Sequence, residues 1–232
     1  MDNSCILVIP DTQAPFHHKD TIRFLKELKA KFKPTRVIQG GDMYDLHCFS
    51  DYDKNPDIPG TQEEIRLLRE FVKDLGKLFP VLDILDSNHG NRIRRKANRA
   101  GLPTSFLKDE MAIIDAPVGW KLHKRLLIKR PVGDILFVHN YSSNVLNSSK
   151  DLACSLVQFH YHSKYETHYW SNGEKMFFAT TSGCLIDDDS PAFGYNKTQS
   201  KRPCLGALLI VGMMVVHIPM ILNKDKRWVG GL

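Results

Sequence analysis

Short apolar runs alternate with amphipathic stretches in the first third of the chain. Cys5–Ile9 (CILVI), Arg36–Gln39 (RVIQ) and residues 81–85 (VLDIL) each predict a buried strand. Between these strands, residues 20–32 and 61–79 carry apolar side chains at helical spacing, which predicts two helices with one buried face each. This β-α-β-α-β order predicts a mostly parallel sheet with helices packed on its faces.

Local signals also mark where the two helices begin. Asp20 or Thr21 is placed to cap the first helix, because short polar side chains accept hydrogen bonds from free backbone N–H groups. Thr61 with Glu64 has the spacing of a capping box, which predicts that the second helix begins at Thr61.

The second half of the chain is richer in strands. Residues 204–222 contain no Asp, Glu, Lys or Arg, but Gly212 divides them into two β-rich runs. A hairpin of two buried strands joined near Gly212 and Met213 therefore fits better than a membrane helix. With a second sheet, the chain is predicted to form a single α/β domain over residues 1–232, a layered α/β/β/α sandwich of mixed sheets with helices on the outer faces. The further predicted strands are residues 124–129, Ile135–Val138, residues 155–159 and Met176–Thr181.

Composition and charge are those of a globular protein. The 232 residues are 42% hydrophobic and 25% charged, and the net charge of +6 suits anionic partners such as nucleotides or nucleic acid. Five cysteines without a CxxC pair indicate reduced thiols rather than a disulfide framework. No signal-peptide pattern is present at the N-terminus, so a cytoplasmic protein without a membrane segment is expected.

Five predicted strands are followed by side chains that bind metal ions. Reactive residues of open α/β sheets gather just beyond the carboxyl ends of strands. Carboxylate, amide and imidazole groups suit ions such as Mn²⁺, Zn²⁺ and Fe, and the absence of cysteine there argues against a structural zinc site. These residues are Asp11 and Gln13 after the first strand, Asp42 after the second, Asn88 and His89 after the third, His139 after Ile135–Val138, and His160 and His162 after residues 155–159.

The order of these residues resembles the calcineurin-like metallophosphoesterases. That family carries D-x-H, GDxxD, GNH[DE], an isolated His and GHxH at successive strand ends. This chain has DTQ at 11–13, GDMYD at 41–45, SNHG at 87–90, His139, and FHYH at 159–162. The similarity extends from residue 6 to residue 162, and small bacteriophage-encoded members are the nearest match.

The resemblance implies a site with two divalent metal ions. Asp42 would bridge the ions, and His89 would be the catalytic histidine that contacts the phosphate or protonates the leaving oxygen. The implied ligands are Asp11, Gln13 and His162 for one ion, and Asn88, His139 and His160 for the other.

Several positions depart from the family pattern. Gln13 stands where histidine is usual, and its harder amide oxygen favours Mn²⁺ or Mg²⁺ over Zn²⁺ or Fe. Gly90 replaces the acid after His89, so Asp86 is a candidate to orient that histidine instead.

The implied activity is hydrolysis of phosphate esters by a metal-bridging hydroxide, with a nucleotide or another phosphorylated small molecule as substrate. Arg92 begins a basic run, RIRRKANR at 92–99, and is predicted to contact the substrate. The same run leaves open a phosphodiesterase or nuclease acting on nucleic acid. The altered motif residues leave open a non-catalytic binding protein with this fold. The sequence does not indicate an oligomeric state.

Overall fold

The computed structural model describes residues 4–51, 55–193 and 201–232. Eleven strands and five α-helices are present in these ranges, together with short 3₁₀ helices at His47–Phe49 and Thr104–Phe106. The strands are β1 Cys5–Ile9, β2 Arg36–Gln39, β3 Leu82–Leu85, β4 Trp120–His123, β5 Leu126–Ile128, β6 Ile135–Val138, β7 Ser155–Gln158, β8 Thr167–Ser171, β9 Met176–Thr181, β10 Gly206–Val211 and β11 Met214–Pro219. The helices are α1 Thr21–Phe32, α2 Thr61–Leu78, α3 Arg92–Arg99, α4 Glu110–Ile113 and α5 Val145–Asp151.

The strands form two mixed sheets. The first has the order β11-β10-β1-β2-β3-β4, in which β1 to β4 are parallel and β10 runs antiparallel to both β1 and β11. The second has the order β5-β6-β7-β9-β8, with β6, β7 and β9 parallel and antiparallel strands at both edges. Each sheet therefore has a parallel centre, where strand ends collect on one side.

Alternate residues of each strand pack into different layers, because successive side chains point to opposite faces of a sheet. Leu7 and Ile9 of β1 pack with α1 and α2 on the outer face, whereas Ile6 and Val8 face the second sheet. Leu156 of β7 lies under α5 on the other outer face. The predicted α/β/β/α sandwich is confirmed.

The hairpin near Gly212 is also confirmed. Strand β10 pairs with β1, so the hairpin extends the first sheet. Only β10 is buried, since β11 is the edge strand and exposes Met214 and Val216. Strand β8 was not predicted from the sequence.

Both predicted helix caps are wrong. Asp20 precedes α1 but makes no side-chain cap, because its carboxylate accepts hydrogen bonds from Arg227 and from the backbone N–H of Trp228. Helix α2 begins at Thr61 as predicted, but its cap residue is Gly60. The buried carboxylate of Glu64 instead accepts from the backbone N–H groups of residues 47 and 48, at 2.6 and 2.9 Å.

Within the described ranges, no helix combines sufficient length with sufficient apolar character to cross a membrane.

Candidate metal centre

Residues that follow strands of both sheets meet at one edge of the sandwich. Around Asp42, His139 Nε2 lies 2.9 Å from Asn88 Oδ1 and 3.2 Å from Asp42 Oδ2. Asp42, His139 and His160 each offer one ligand atom, and these three atoms lie within 4.8 Å of one another. Four of the seven predicted ligands therefore form one group.

The other three predicted ligands form a second group. His162 Nε2 lies 3.1 Å from Asp11 Oδ2 and 3.4 Å from Gln13 Nε2. The backbone N–H groups of Thr12 and Gln13 both donate to the carbonyl oxygen of Asp42, at 3.2 and 2.8 Å. The loop after β1 is thus tied to the loop after β2, which joins the two groups.

The backbone at the site adopts conformations that are uncommon for these residue types. Gln13, Asp42 and His160 have positive φ angles of 46°, 43° and 71°. Residues other than glycine that are held in this left-handed region are concentrated at functional sites. Gly41, with φ of 92°, allows the ring of His139 to approach, because a Cβ there would lie 2.6 Å from His139 Nδ1.

The donor set fits a cation. His139 Nδ1 lies 2.9 Å from the carbonyl oxygen of Gly40, which can only accept a hydrogen bond. The other ring nitrogen, Nε2, faces the oxygens of Asp42 and Asn88. Among the predicted ligands, three buried oxygens have no hydrogen-bond donor within the described residues: Asp11 Oδ1, Gln13 Oε1 and Asp42 Oδ2. Buried oxygens of this kind are costly unless a proton donor or a metal ion satisfies them.

The charges of the site shift the proton affinities of its members. Burial opposes ionisation of Asp42, but His89 and His139 outweigh it and hold the pKa of this carboxyl below its usual range. Burial by itself would lower the pKa of His139, yet the carboxylates of Asp42 and Asp11 raise it to about 9. Burial, aided by His139, lowers the pKa of His160. The site thus attracts positive charge to the side where Asp11 and Asp42 lie.

His89 lies beside this centre and outside the ligand groups. Its backbone N–H donates to Asp42 Oδ1 at 3.1 Å, and its Nε2 is 3.7 Å from Asp42 Oδ2. Its Nδ1 lies 3.0 Å from the carbonyl oxygen of Asp45 and 3.6 Å from Asp45 Oδ2. Asp86, the expected orienting residue, instead accepts from the backbone N–H of Ser87 and from Asn91. The carboxylate beside His89 is therefore Asp45, the last residue of the GDMYD motif.

Arg92 is part of the same cluster. Its Nη1 donates to the carbonyl oxygen and to Oδ1 of Asp45, at 2.6 Å each, and its Nη2 lies 3.3 Å from His89 Nε2. The side chain is only 11% exposed. Asp45 thus holds both Arg92 and His89, a role that the sequence reasoning missed although the motif already contained this residue.

A distant acid occupies the space beside Gly90. A Cβ at position 90 would lie 2.7 Å from Glu110 Oε1 and 3.3 Å from the hydroxyl of Tyr44. The Glu110 side chain is buried, and burial raises its pKa to about 7. Glu110 of α4 therefore leaves no room for a side chain at position 90.

Neither a family model nor a curated protein matches the chain. Among solved structures, the chain is similar to Vps29 from Cryptosporidium parvum, at 16% identity and a TM-score of 0.48, over 96% of this chain and 93% of that one. It is similar to an archaeal phosphodiesterase at 13% identity and a TM-score of 0.48, over 93% and 99% of the two chains. It is also similar to YfcE, a phosphoesterase from E. coli, at 10% identity and a TM-score of 0.46, over 97% of each chain.

Proposed function

We propose that this protein is a metal-dependent phosphoesterase that hydrolyses phosphate esters of nucleotides. One cation would be held by the group of Asp11, Gln13 and His162, and the other by Asn88, His139 and His160. Asp42, whose backbone carbonyl ties the two groups together, would ligate both ions through its carboxylate. Manganese is the metal that this mixture of oxygen and imidazole donors favours, with Mg²⁺, Zn²⁺ and Fe as the other candidates.

A single observation carries this proposal. Asp11, Gln13 and Asp42 each carry a buried oxygen without a hydrogen-bond donor among the described residues, and the side chain of each also lies within 3.4 Å of an imidazole nitrogen from a loop that follows a strand of the second sheet. A structural hydrogen-bond network would supply donors to these oxygens, whereas a metal centre leaves them open.

Two divalent cations, when bound, would neutralise a phosphate and supply a nucleophilic water at neutral pH. The protein provides the remaining elements. The Gly40 carbonyl fixes the ring of His139, so that Nε2 faces the site. His89, held by Asp45, donates a proton to the oxygen that leaves. Arg92, whose Nη2 is next to His89, is proposed to contact the substrate phosphate.

The test is a substrate panel with purified protein. We expect Mn²⁺-dependent hydrolysis of p-nitrophenyl phosphate or of its bis ester, and of members of a set of nucleoside monophosphates and cyclic nucleotides. A chelator should stop the reaction and added Mn²⁺ should restore it. Protein that binds neither Mn²⁺ nor Zn²⁺ and cleaves neither nitrophenyl ester would instead be a non-catalytic binding protein with this fold.

The replacement Gln13→His tests how the first ion is held. Histidine tolerates the positive φ at this position better than most residues, so the fold should be retained. Because imidazole is a softer donor than an amide oxygen, metal preference should move from Mn²⁺ toward Zn²⁺ or Fe by about tenfold.

Metal content and activity under each metal measure this change. The control is Gln62→His, which makes the same exchange at an exposed position of α2. Equal metal preference in both variants would show that Gln13 is not a ligand.

A further inference from the structure

We propose that a basic groove guides a single strand of nucleic acid across the metal centre. The phosphate ester that the protein cleaves would then be a phosphodiester within a polynucleotide. This inference rests on the proposed phosphoesterase function and names its substrate class. The basic groove consists of two clefts, one on each side of Asn91.

The first cleft begins at the metal centre. It has a volume of about 350 Å³, and its walls include the ligands Asn88 and His139. Lys124 and Arg125, in the turn that joins β4 of the first sheet to β5 of the second, form another part of the wall. A chain that leaves the metal centre on this side therefore meets two cations.

The second cleft continues beyond Asn91, which lines both clefts. It has a volume of about 760 Å³ and is lined by Arg94 and Arg95 of α3 on one side and by Lys108 on the other. The groove is thus longer than a mononucleotide site needs, and five cations are placed along it.

Arg94 and Arg95 differ from the other cations of α3. Lys96 and Arg99 of α3 both pair with Asp51. By contrast, Arg94 and Arg95 are exposed and have no ion-pair partner within the described part of the chain. Unpaired cations in a groove attract the phosphates of a nucleic-acid backbone, and their binding releases counterions.

Two carboxylates also line the groove, but both accept hydrogen bonds from the protein. Asp86 binds the backbone N–H of Ser87 and the amide of Asn91. Asp109 accepts from the backbone N–H of Met111 and caps α4. The groove therefore keeps a net excess of positive charge.

One exposed aromatic side chain lines the first cleft, and another is adjacent in sequence to residues that line the second. Tyr141 lines the first cleft and is 53% exposed. Phe106 belongs to the short helix that contributes Thr104 and Ser105 to the second cleft, and it is 77% exposed. Such rings stack on unpaired bases, whose faces are hidden in a duplex, so the combination favours a single strand.

Binding is measured by fluorescence anisotropy with a labelled thymidine oligonucleotide of about 20 residues, with chelator present to prevent cleavage. Five phosphate contacts predict a slope of about −3.5 for log affinity against log salt, since each contact adds about −0.7 on single strands. The variant Arg94→Ala/Arg95→Ala should raise Kd by about tenfold at moderate salt and reduce the slope by about 1.4. Phe106→Ala should raise Kd by about fivefold or more.

The matched control is Lys26→Ala/Lys31→Ala, which removes the same charge from exposed positions of α1, outside both clefts. This control should leave Kd within about twofold of the unmodified protein, because its cations touch no phosphate. If both double variants weaken binding equally, or if a duplex of the same length binds more tightly than the single strand, the groove inference is overturned.

Activity separates this inference from the proposed function. With Mn²⁺, the ratio of oligonucleotide cleavage to bis-p-nitrophenyl phosphate hydrolysis should fall in Arg94→Ala/Arg95→Ala, because only the oligonucleotide extends into the second cleft. Hydrolysis of the bis ester without binding or cleavage of the oligonucleotide would overturn the groove while supporting the phosphoesterase. Salt-dependent binding without hydrolysis of any ester would overturn the phosphoesterase while supporting the groove as a binding surface.

Discussion

Replacing Asp42 by Asn should abolish hydrolysis of phosphate esters. The carboxylate of Asp42 lies beside His139, its backbone carbonyl binds the loop that carries Gln13, and its Oδ2 has no hydrogen-bond donor among the described residues. An amide in its place lacks the negative charge that attracts two cations to one site. Loss of metal-derived charge stabilisation worth about 4 kcal/mol corresponds to a rate reduction of about 10³-fold or more.

The fold should survive this substitution. An amide oxygen still accepts the hydrogen bond from the His89 backbone N–H that Asp42 Oδ1 now accepts at 3.1 Å. The carbonyl oxygen of Asp42, which binds the N–H groups of Thr12 and Gln13, is unchanged. A near-native circular dichroism spectrum is therefore expected together with loss of activity.

Calorimetric titration with Mn²⁺ measures whether the loss of activity comes from a loss of metal binding. The unmodified protein should bind two ions and the Asp42→Asn variant at most one, weakly. Asp57→Asn, an exposed aspartate in the loop before α2, is the control and should bind metal normally. Full metal occupancy with full activity in Asp42→Asn would refute the bridging role.

Replacing His89 by Asn should reduce kcat while metal binding is retained. His89 contacts Asp42 through its backbone N–H, and its ring lies between Asp45 and Arg92 rather than in either ligand group. A positioned proton donor contributes about 10² to 10⁴-fold to a rate, so a loss of this size is expected.

The loss of activity in His89→Asn should depend on the leaving group. p-Nitrophenolate departs without a proton, whereas the alkoxide of a nucleoside needs one. The His89→Asn variant should therefore lose far more activity on nucleotide esters than on nitrophenyl esters. A structural or phosphate-binding role for His89 would reduce both activities equally.

Two further variants complete the comparison. Asp45→Asn should weaken the orientation of His89 and so reproduce part of the same leaving-group dependence, since Asp45 lies on the Nδ1 side of the ring. His168→Asn, on the partly exposed strand β8, should change neither activity.

The candidate ligands of the site could be recognised in the sequence because they follow strands directly. Asp11, Asp42 and His139 come within three residues of the end of a buried apolar run, and such runs are recognisable by composition alone. Parallel strands bring their carboxyl ends to one edge of the sheet. Candidate ligands that follow successive strands are therefore expected to meet at that edge. The layered sandwich could be predicted for the same reason, since helix and strand periods are local properties.

The partners of buried carboxylates could not be predicted in this way. Glu64 has the sequence position of a capping residue, yet it binds the 3₁₀ helix at His47–Phe49. Asp20 likewise binds Arg227, which is more than 200 residues distant in the chain. Long-range packing selects among chemically equivalent partners, and local propensity holds no information about that choice.

The amino-acid sequence by itself therefore determined the alternation of elements, the two layers of sheet and the kinds of side chain that follow the strands. Only the tertiary structure decided that β10 joins the first sheet beside β1, that Asp45 holds His89, and that Glu110 fills the space beside Gly90. The same is true of the basic groove, whose cations come from α3, from Lys108 and from the turn between the sheets. Each of these features depends on segments far apart in the chain, which come together because folding buries their apolar faces. The pattern of apolar residues does not specify which polar groups will then meet.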